Sequence, residues 1–341
     1  MTLSGDAAQS LRRLLRESTP WADDQWRRWA RELLQPDALT VPLLAALWRE
    51  VLAFDIVLAG HVTDPVGVPS GTVVVAGSGK ETFKTFNVST AASILAASCG
   101  AKVVKGVSQS VSAVSGAADV LDALGVPIGT EPSDVPGLLG AHGIAFISYA
   151  AFCPTYASRY DGVFRFLSPF SFFMPVAVLC VRAVAFIYGL AHPNVRLAAT
   201  VIQQARPDLP SGLVVSTELA PGEIMDERAS FGTVRMASLT EREVQVAEEP
   251  ADGPSADWRR AVAHRRTHRD NAAVLAAALA PDGRSYCAAL VEENAALILR
   301  ASRSSRLSGA EALAAVRESR ASGRADRLLS QLRSRRQAVR A

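Results

Sequence analysis

GSGKETFKTFNVST, residues 77–90, decides how the chain is read, because it sets a glycine-containing loop directly before a helix. The run before it, GTVVVA (Gly71 to Ala76), is β-branched and bounded by glycine, the pattern of a buried strand. The run after it, AASILAASCGA, consists of small helix formers and reaches Gly100, a natural helix C-terminus. Strand, loop and helix in that order turn backbone N–H groups and a helix N-terminus toward an anion. Gly77 and Gly79 would let the backbone approach such a ligand without a Cβ clash. Ser89 and Thr90 would add hydroxyls where phosphate oxygens or a hydrated metal could sit. The bland reading is a turn at Gly77 and Gly79, with Asn87 capping a helix whose first turn holds Ser89 and Thr90.

The next segment repeats the arrangement. Lys102-Val103-Val104-Lys105 reads as a second strand and runs into GVSQSVSAVSGAADVLDALGV. That is a serine-rich loop followed by a helix from about Ala117 to Leu124, with Ser115 as candidate N-cap. Together the two segments make one βαβα unit. Lys105 is either a point charge for a phosphate or a surface lysine. Ser110, Ser112 and Ser115 are either phosphate donors or turn and cap residues.

The anthranilate phosphoribosyltransferases carry GTGGDGxxTFNIST followed by AKVxKHGNRSVSSxSGSADVLEALG. This chain resembles them in register and without a gap, with GSGKETFKTFNVST (77–90) and AKVVKGVSQSVSAVSGAADVLDALG (101–125). AFIYGLAHP (185–193) is similar to that family's QLIGVYHP, and GEIMDERASFG (222–232) to its acidic magnesium motif GLDELxxxG. The helices at NAAVLAAAL (271–279), 290–302 and 307–332 extend a looser likeness, so the whole covers about residues 70–335. Pyrimidine nucleoside phosphorylases share this fold.

The resemblance implies an α/β fold: a small all-helical domain plus a larger α/β domain with a mostly parallel central sheet. The helical domain would be residues 1–68, completed by an inserted helical pair within 130–195, and the donor-binding domain 69–341. It further implies phosphoribosyl pyrophosphate as donor, held by Gly77, Ser78, Gly79, Asn87, Ser89, Thr90, Lys105, Ser110, Ser112 and Ser115. Lys105 and Asn87 would serve catalysis. Mg²⁺ would be held by Ser89, Asp226 and Glu227, and the acceptor would meet Arg165. The expected partners are the donor, a small aromatic acceptor and, through the helical domain, a second copy of the chain.

Composition agrees with an enzyme of ordinary make-up. Of 341 residues, 49% are hydrophobic and 20% charged, and the net charge of +3 is too small to suggest nucleic acid. The basic runs Arg259-Arg260…His264-Arg265-Arg266…His268-Arg269 and Arg333…Arg335-Arg336 read as solvated surface. Cys99, Cys153, Cys180 and Cys287 show no paired spacing, as expected for free thiols in a cytoplasmic protein. The N-terminus reads as an amphipathic helix without the apolar core of a signal peptide. Phe164 to Leu190 is apolar, but Arg165, Pro169, Pro175 and Arg182 interrupt it short of a membrane span. Helical periodicity fills residues 1–68, punctuated by Pro20, Pro36 and Pro42, and AEEPADGPSA (247–256) reads as a polar loop.

The departures from the family motifs are informative. Lys80 and Glu81 stand where the family has glycine and aspartate, and KHGNR becomes Lys105-Gly106-Val107-Ser108-Gln109. Phe164, Phe166, Phe170, Phe172 and Phe173 crowd the acceptor side, either as core or as an apolar acceptor wall. The sequence therefore reads as a transferase whose acceptor is an aromatic amine or carboxylate other than anthranilate. A catalytically silent nucleotide- or partner-binding homologue and a nucleoside phosphorylase are the alternatives. No nucleic acid and no membrane are expected.

Overall fold

The computed structural model describes residues 3–17, 19–35, 38–109, 114–160, 163–240, 243–282, 285–303 and 306–340. Four helices come first: α1 (Leu3–Arg16), α2 (Pro20–Leu33), α3 (Val41–Phe54) and α4 (Ile56–Thr63). Thr19, Thr40 and Asp55 cap the last three, accepting from the N–H groups of Ala22, Leu43 and Leu58. Pro20 and Pro42 fall in the first turns, where the missing N–H has no intrahelical partner. Pro36 lies outside the described residues.

The alternating part follows as β1 (Thr72–Gly77), α5 (Val88–Ser98), β2 (Lys102–Val107), α6 (Ala117–Leu124), α7 (Asp134–His142), β3 (Ile144–Ser148), α8 (Pro154–Tyr160), α9 (Met174–Ala177), β4 (Ala185–Gly189), α10 (Val195–Ala205), β5 (Ser211–Ala220), β6 (Glu223–Met225), β7 (Thr233–Thr240) and β8 (Val244–Pro250). Helices α11 (Ala256–Val262), α12 (His268–Leu279), α13 (Tyr286–Ser302), α14 (Gly309–Ala321) and α15 (Arg324–Arg340) close the chain.

The strands form one sheet in the order β3-β2-β1-β4-β5-β7-β8, with β6 branching from β5. The five strands from β3 to β5 are parallel, and β6, β7 and β8 add antiparallel pairings. The fold is thus α/β with a small helical N-terminal part and a larger part built on a mostly parallel mixed sheet. Both faces of the sheet are covered at β1, β2, β3 and β4, which is why these strands read as mainly apolar runs, whereas edge strand β8 is exposed. Val74, Ala76, Val104, Phe186 and Tyr188 face a core shared with α1–α4, α8, α9 and α10. Val73, Val75, Val103, Ala185 and Ile187 face α5, α6 and the C-terminal helices.

Helix α8 and the segment after it pack on the N-terminal helices. Asp55 Oδ2 accepts from Tyr156 N–H at 2.8 Å, and Arg159 donates to Leu14 O and Asp23 Oδ1 at 3.1 and 2.7 Å. Two local expectations are corrected. Ala247 to Pro250 belong to edge strand β8 rather than to a loop, paired with β7 and tied across it by Arg235–Glu248 at 2.9 Å. Helix α6 is capped by Gly116, whose N–H donates to Asp119 Oδ2 at 2.8 Å, so Ser115 is left outside the cap. No described helix is long and apolar enough to cross a membrane.

Candidate functional site

The chain runs from β1 to β2 and β3 on one side, then returns to place β4 on the other side of β1. Loops leaving the carboxyl ends of β1 and β4 therefore diverge, and such a switch point is where open parallel sheets bind ligands. A cavity of about 200 Å³ opens there. Its floor is the 77–89 loop with Lys105 of β2, Asp226 and Glu227 after β6, Ser115 and His264; its opposite wall is aromatic and aliphatic.

The loop after β1 is anchored at several points. Ser78 N–H donates to Gly189 O at 2.9 Å, and Ala191 N–H donates to Ser78 Oγ at the same distance. Thr82 and Phe83 N–H both donate to Ile224 O, at 3.0 and 3.1 Å. His264 braces the far end: its N–H donates to Lys84 O and its Nδ1 lies 2.9 Å from Thr85 O. The two glycines act differently from one another. Gly79 holds φ +62°, a left-handed conformation, with open space around it. At Gly77 a Cβ would stand 2.8 Å from Asp226 Oδ2, so this glycine makes room for that carboxylate.

Asp226 sits on the loop itself. Its Oδ2 accepts from Gly79 N–H at 3.2 Å and from Ser78 Oγ at 3.4 Å. Glu227 is buried, accepting from Thr85 Oγ1 at 2.9 Å through Oε1, while its Oε2 is enclosed without a hydrogen bond. Burial, then Asp226 and Glu81, push its carboxyl well above the usual range. Glu81 Oε2 is also enclosed without a partner, and burial reinforced by Asp226 raises this carboxyl to about 7. Lys105 is buried, its Nζ donating to Gly106 O at 3.1 Å. Burial pulls its ammonium down to about 8, opposed by the pull of Asp226 and Glu227.

Asn87 adopts φ 67° and ψ 49° at the start of α5, the left-handed region that asparagine tolerates best after glycine. Its side chain does not cap the helix, and its Oδ1 is enclosed with no hydrogen bond. A strained backbone carrying an orphaned amide at a helix N-terminus suits a ligand-binding residue. Ser89 lines the cavity beside it.

The enclosed Glu227 Oε2, which has no hydrogen bond, with Asp226 beside it and Ser89 in the same lining, fits a divalent cation. Among the described residues no group of three or more His, Cys, Asp or Glu is placed to hold a metal alone. Mg²⁺ does not require one, since it takes one or two carboxylates and completes its shell with substrate phosphates and water.

Nine of the sequence-predicted site residues line this one cavity: Gly77, Ser78, Gly79, Asn87, Ser89, Lys105, Ser115, Asp226 and Glu227. Thr90 does not; it is fully buried within the first turn of α5. Arg165 is exposed and outside the lining, a correction to its expected place beside the acceptor. Ser110 and Ser112 lie outside the described residues. Ser115 is held in the wall by His264, His268 and Asn271 rather than at a helix cap.

Sequence reasoning missed three contributions. His264 was assigned to a solvated basic run, yet it lines the cavity, and burial lowers its pKa. Tyr149, Tyr156 and Tyr160 join Phe164, Phe170 and Met174 on the opposite wall, where only phenylalanines were considered. The four-residue spacing of Tyr156 and Tyr160 could have marked them as one helix face. Their rings stack 4.8 Å apart, and the Tyr156 hydroxyl is enclosed without a partner. Lys80 reaches across to this wall, donating to Phe164 O at 2.8 Å.

The model of the glycosyl transferase family, a/b domain, matches residues 70–326. An anthranilate phosphoribosyltransferase of Oleidesulfovibrio alaskensis is 35% identical over 130 residues, 38% of this chain and 35% of that protein. One from Leifsonia xyli subsp. xyli is 32% identical over 156 residues, 42% of this chain and 43% of its own length. These alignments thus span well under half of the curated relatives' length. Among solved structures, the anthranilate phosphoribosyltransferase of Thermus thermophilus superposes with TM-score 0.73 at 21% identity, covering 98% of this chain and 95% of that one. The Saccharomyces cerevisiae protein in complex with PRPP and Mg gives 0.72 at 18% identity, covering 98% and 93%.

Proposed function

This chain belongs to the glycosyl transferase family, a/b domain, and from that premise we propose that it is a phosphoribosyltransferase. It moves the phosphoribosyl group of phosphoribosyl pyrophosphate to an aromatic amine or carboxylate other than anthranilate, releasing pyrophosphate. One observation carries the reading. A single cavity holds the 77–89 loop, a buried lysine and two acidic residues on one side and an aromatic wall on the other.

Transfer at C1′ passes through an oxocarbenium-like transition state, so the protein must hold the pyrophosphate as its charge grows and keep water away. Lys105 supplies a desolvated positive charge, which acts more strongly there than in water. Asn87 and Ser89 direct polar groups from the N-terminus of α5, and Gly79 offers its N–H once a donor phosphate displaces Asp226 Oδ2. Asp226 and Glu227, with Ser89, would hold Mg²⁺, which when bound neutralises the leaving pyrophosphate. The acceptor lies against Tyr156, Tyr160, Phe164 and Phe170, which exclude water from C1′. There the amine nitrogen or carboxylate oxygen of the acceptor bonds to C1′ as the C1′–pyrophosphate bond breaks; an amine then passes one proton to the departing pyrophosphate or to water, whereas a carboxylate has none to lose.

The absence of the family's His, Asn and Arg from residues 105–109, and the placement of Arg165 in solvent, support an acceptor other than anthranilate. A site that has lost its carboxylate partners discriminates by factors that can reach ~10⁴. The test is thermal unfolding with millimolar donor and Mg²⁺, followed by a side-by-side acceptor assay. At a hundred times its dissociation constant the donor contributes roughly 2.7 kcal/mol, a readily visible shift. No shift would favour a catalytically silent homologue, a reading that the Asp226 carboxylate already seated on Gly79 N–H supports. Efficient anthranilate turnover would overturn the acceptor assignment.

A further inference from the structure

Two consecutive carbonyls at the head of the aromatic wall accept from cationic side chains of two different elements. Arg27 of α2 donates through Nε to Val163 O at 2.9 Å, and Lys80 of the loop after β1 donates through Nζ to Phe164 O at 2.8 Å. Lys80 and Phe164 both line the cavity, so their bond crosses from its donor side to its acceptor side. The Phe164 ring completes the crossing by packing on Trp26 and Tyr160, with centroids 5.4 and 5.2 Å apart. Downstream of Phe164 the same segment supplies Phe170, Met174, Pro175 and Val178 to the wall. Its position is therefore coupled to the loop through residue 80, and only a long side chain with a donor at its tip makes this reach.

We propose that Lys80 is a positioning residue that clasps the donor loop to the aromatic wall and so sets which acceptor the cavity takes. The acceptor part rests on the transferase reading above; the clasp itself does not. The ammonium–carbonyl bond fixes the backbone of Phe164, the ring of Phe164 fixes Tyr160, and those two rings bound the space open to an aromatic acceptor. Discrimination among acceptors then depends on a residue of the donor loop.

The experiment compares wild type with Lys80→Met, which keeps the apolar stem and deletes the donor, and Lys80→Arg, which restores one. Amide exchange across residues 163–178 of the ligand-free protein is read by mass spectrometry, with β1, β2 and β4 as internal controls. Lys80→Met is expected to speed exchange in that segment by about tenfold, the loss of one charge-assisted hydrogen bond, with the sheet unchanged and Lys80→Arg restoring protection. In turnover assays the acceptor KM is expected to rise about tenfold while kcat and donor KM stay within about twofold. Unchanged exchange overturns the clasp. Faster exchange with an unmoved acceptor KM overturns its role in specificity, and a raised donor KM alone makes Lys80 a phosphate ligand instead. If wild type fails to bind donor with Mg²⁺, the transferase reading falls, and exchange in the ligand-free protein still decides the clasp.

Discussion

Replacing Lys105 by methionine separates what this residue costs the fold from what it gives the ligand. The methionine keeps the apolar stem against its neighbours on β2 and removes only the buried ammonium. Burial lowers the lysine from 10.5 to about 8, so the native state holds this proton more weakly than the unfolded chain does. At ~1.36 kcal/mol per pH unit the difference amounts to at most ~3 kcal/mol of destabilisation near neutrality. The unfolded state binds more protons between pH 8 and 10.5, so stability should rise across that window in the wild type. Lys105→Met should not show that rise. At pH 7 it should be as stable as wild type or up to ~2 kcal/mol more stable, because loss of the Nζ–Gly106 O hydrogen bond, about 1 kcal/mol, offsets part of the relief from burial. Donor binding should move the other way, weakening by about 1.5–3 kcal/mol for the loss of a charged hydrogen bond. Denaturant unfolding at pH 7 and pH 9.5 and calorimetry with donor and Mg²⁺ read both effects. A variant clearly less stable than wild type would show that attraction to the two acids outweighs burial. Unchanged donor affinity in a folded variant would remove Lys105 from the phosphate site.

Glu81→Gln should flatten part of the acid-side stability profile. With its pKa raised to about 7 by burial and Asp226, the native carboxyl binds its proton more tightly than the unfolded one does. The stability it contributes is full below pH 4.5 and is lost as pH rises to about 7. Glu227 acts in the same direction, so the slope should lessen rather than vanish; an unaltered profile in denaturant titrations would place Glu81 in solvent. Tyr156→Phe removes an enclosed hydroxyl that has no protein partner, so the ligand-free protein should be no less stable. If the hydroxyl meets the acceptor, acceptor KM should rise about fivefold, near 1 kcal/mol, with donor affinity constant; a loss of stability of that size instead would show that the hydroxyl is satisfied within the fold.

The sequence alone determined the βαβα unit and most of the residues that line the loop side of the cavity. Local rules suffice there: β-branched runs make β1 and β2, glycine at residue 79 permits a left-handed turn, and small residues build α5. The motif spacing 77–90 and 101–125 then carried the family and the fold. What the sequence did not hold was the other half of the cavity. Tyr149, Tyr156 and His264 reach the site from far along the chain, and the partners of the Lys80–Phe164 bond stand 84 residues apart. No local period marks such meetings. Arg165 is the converse case, placed beside the acceptor by alignment and turned to solvent by the fold. Residues on the loop after β1 inherit their position from the strand that feeds it. Those on the aromatic wall are positioned by the N-terminal helices packing against residues 154–160 and 163–178, and only the tertiary structure specifies which of their side chains face the cavity and which fill the core.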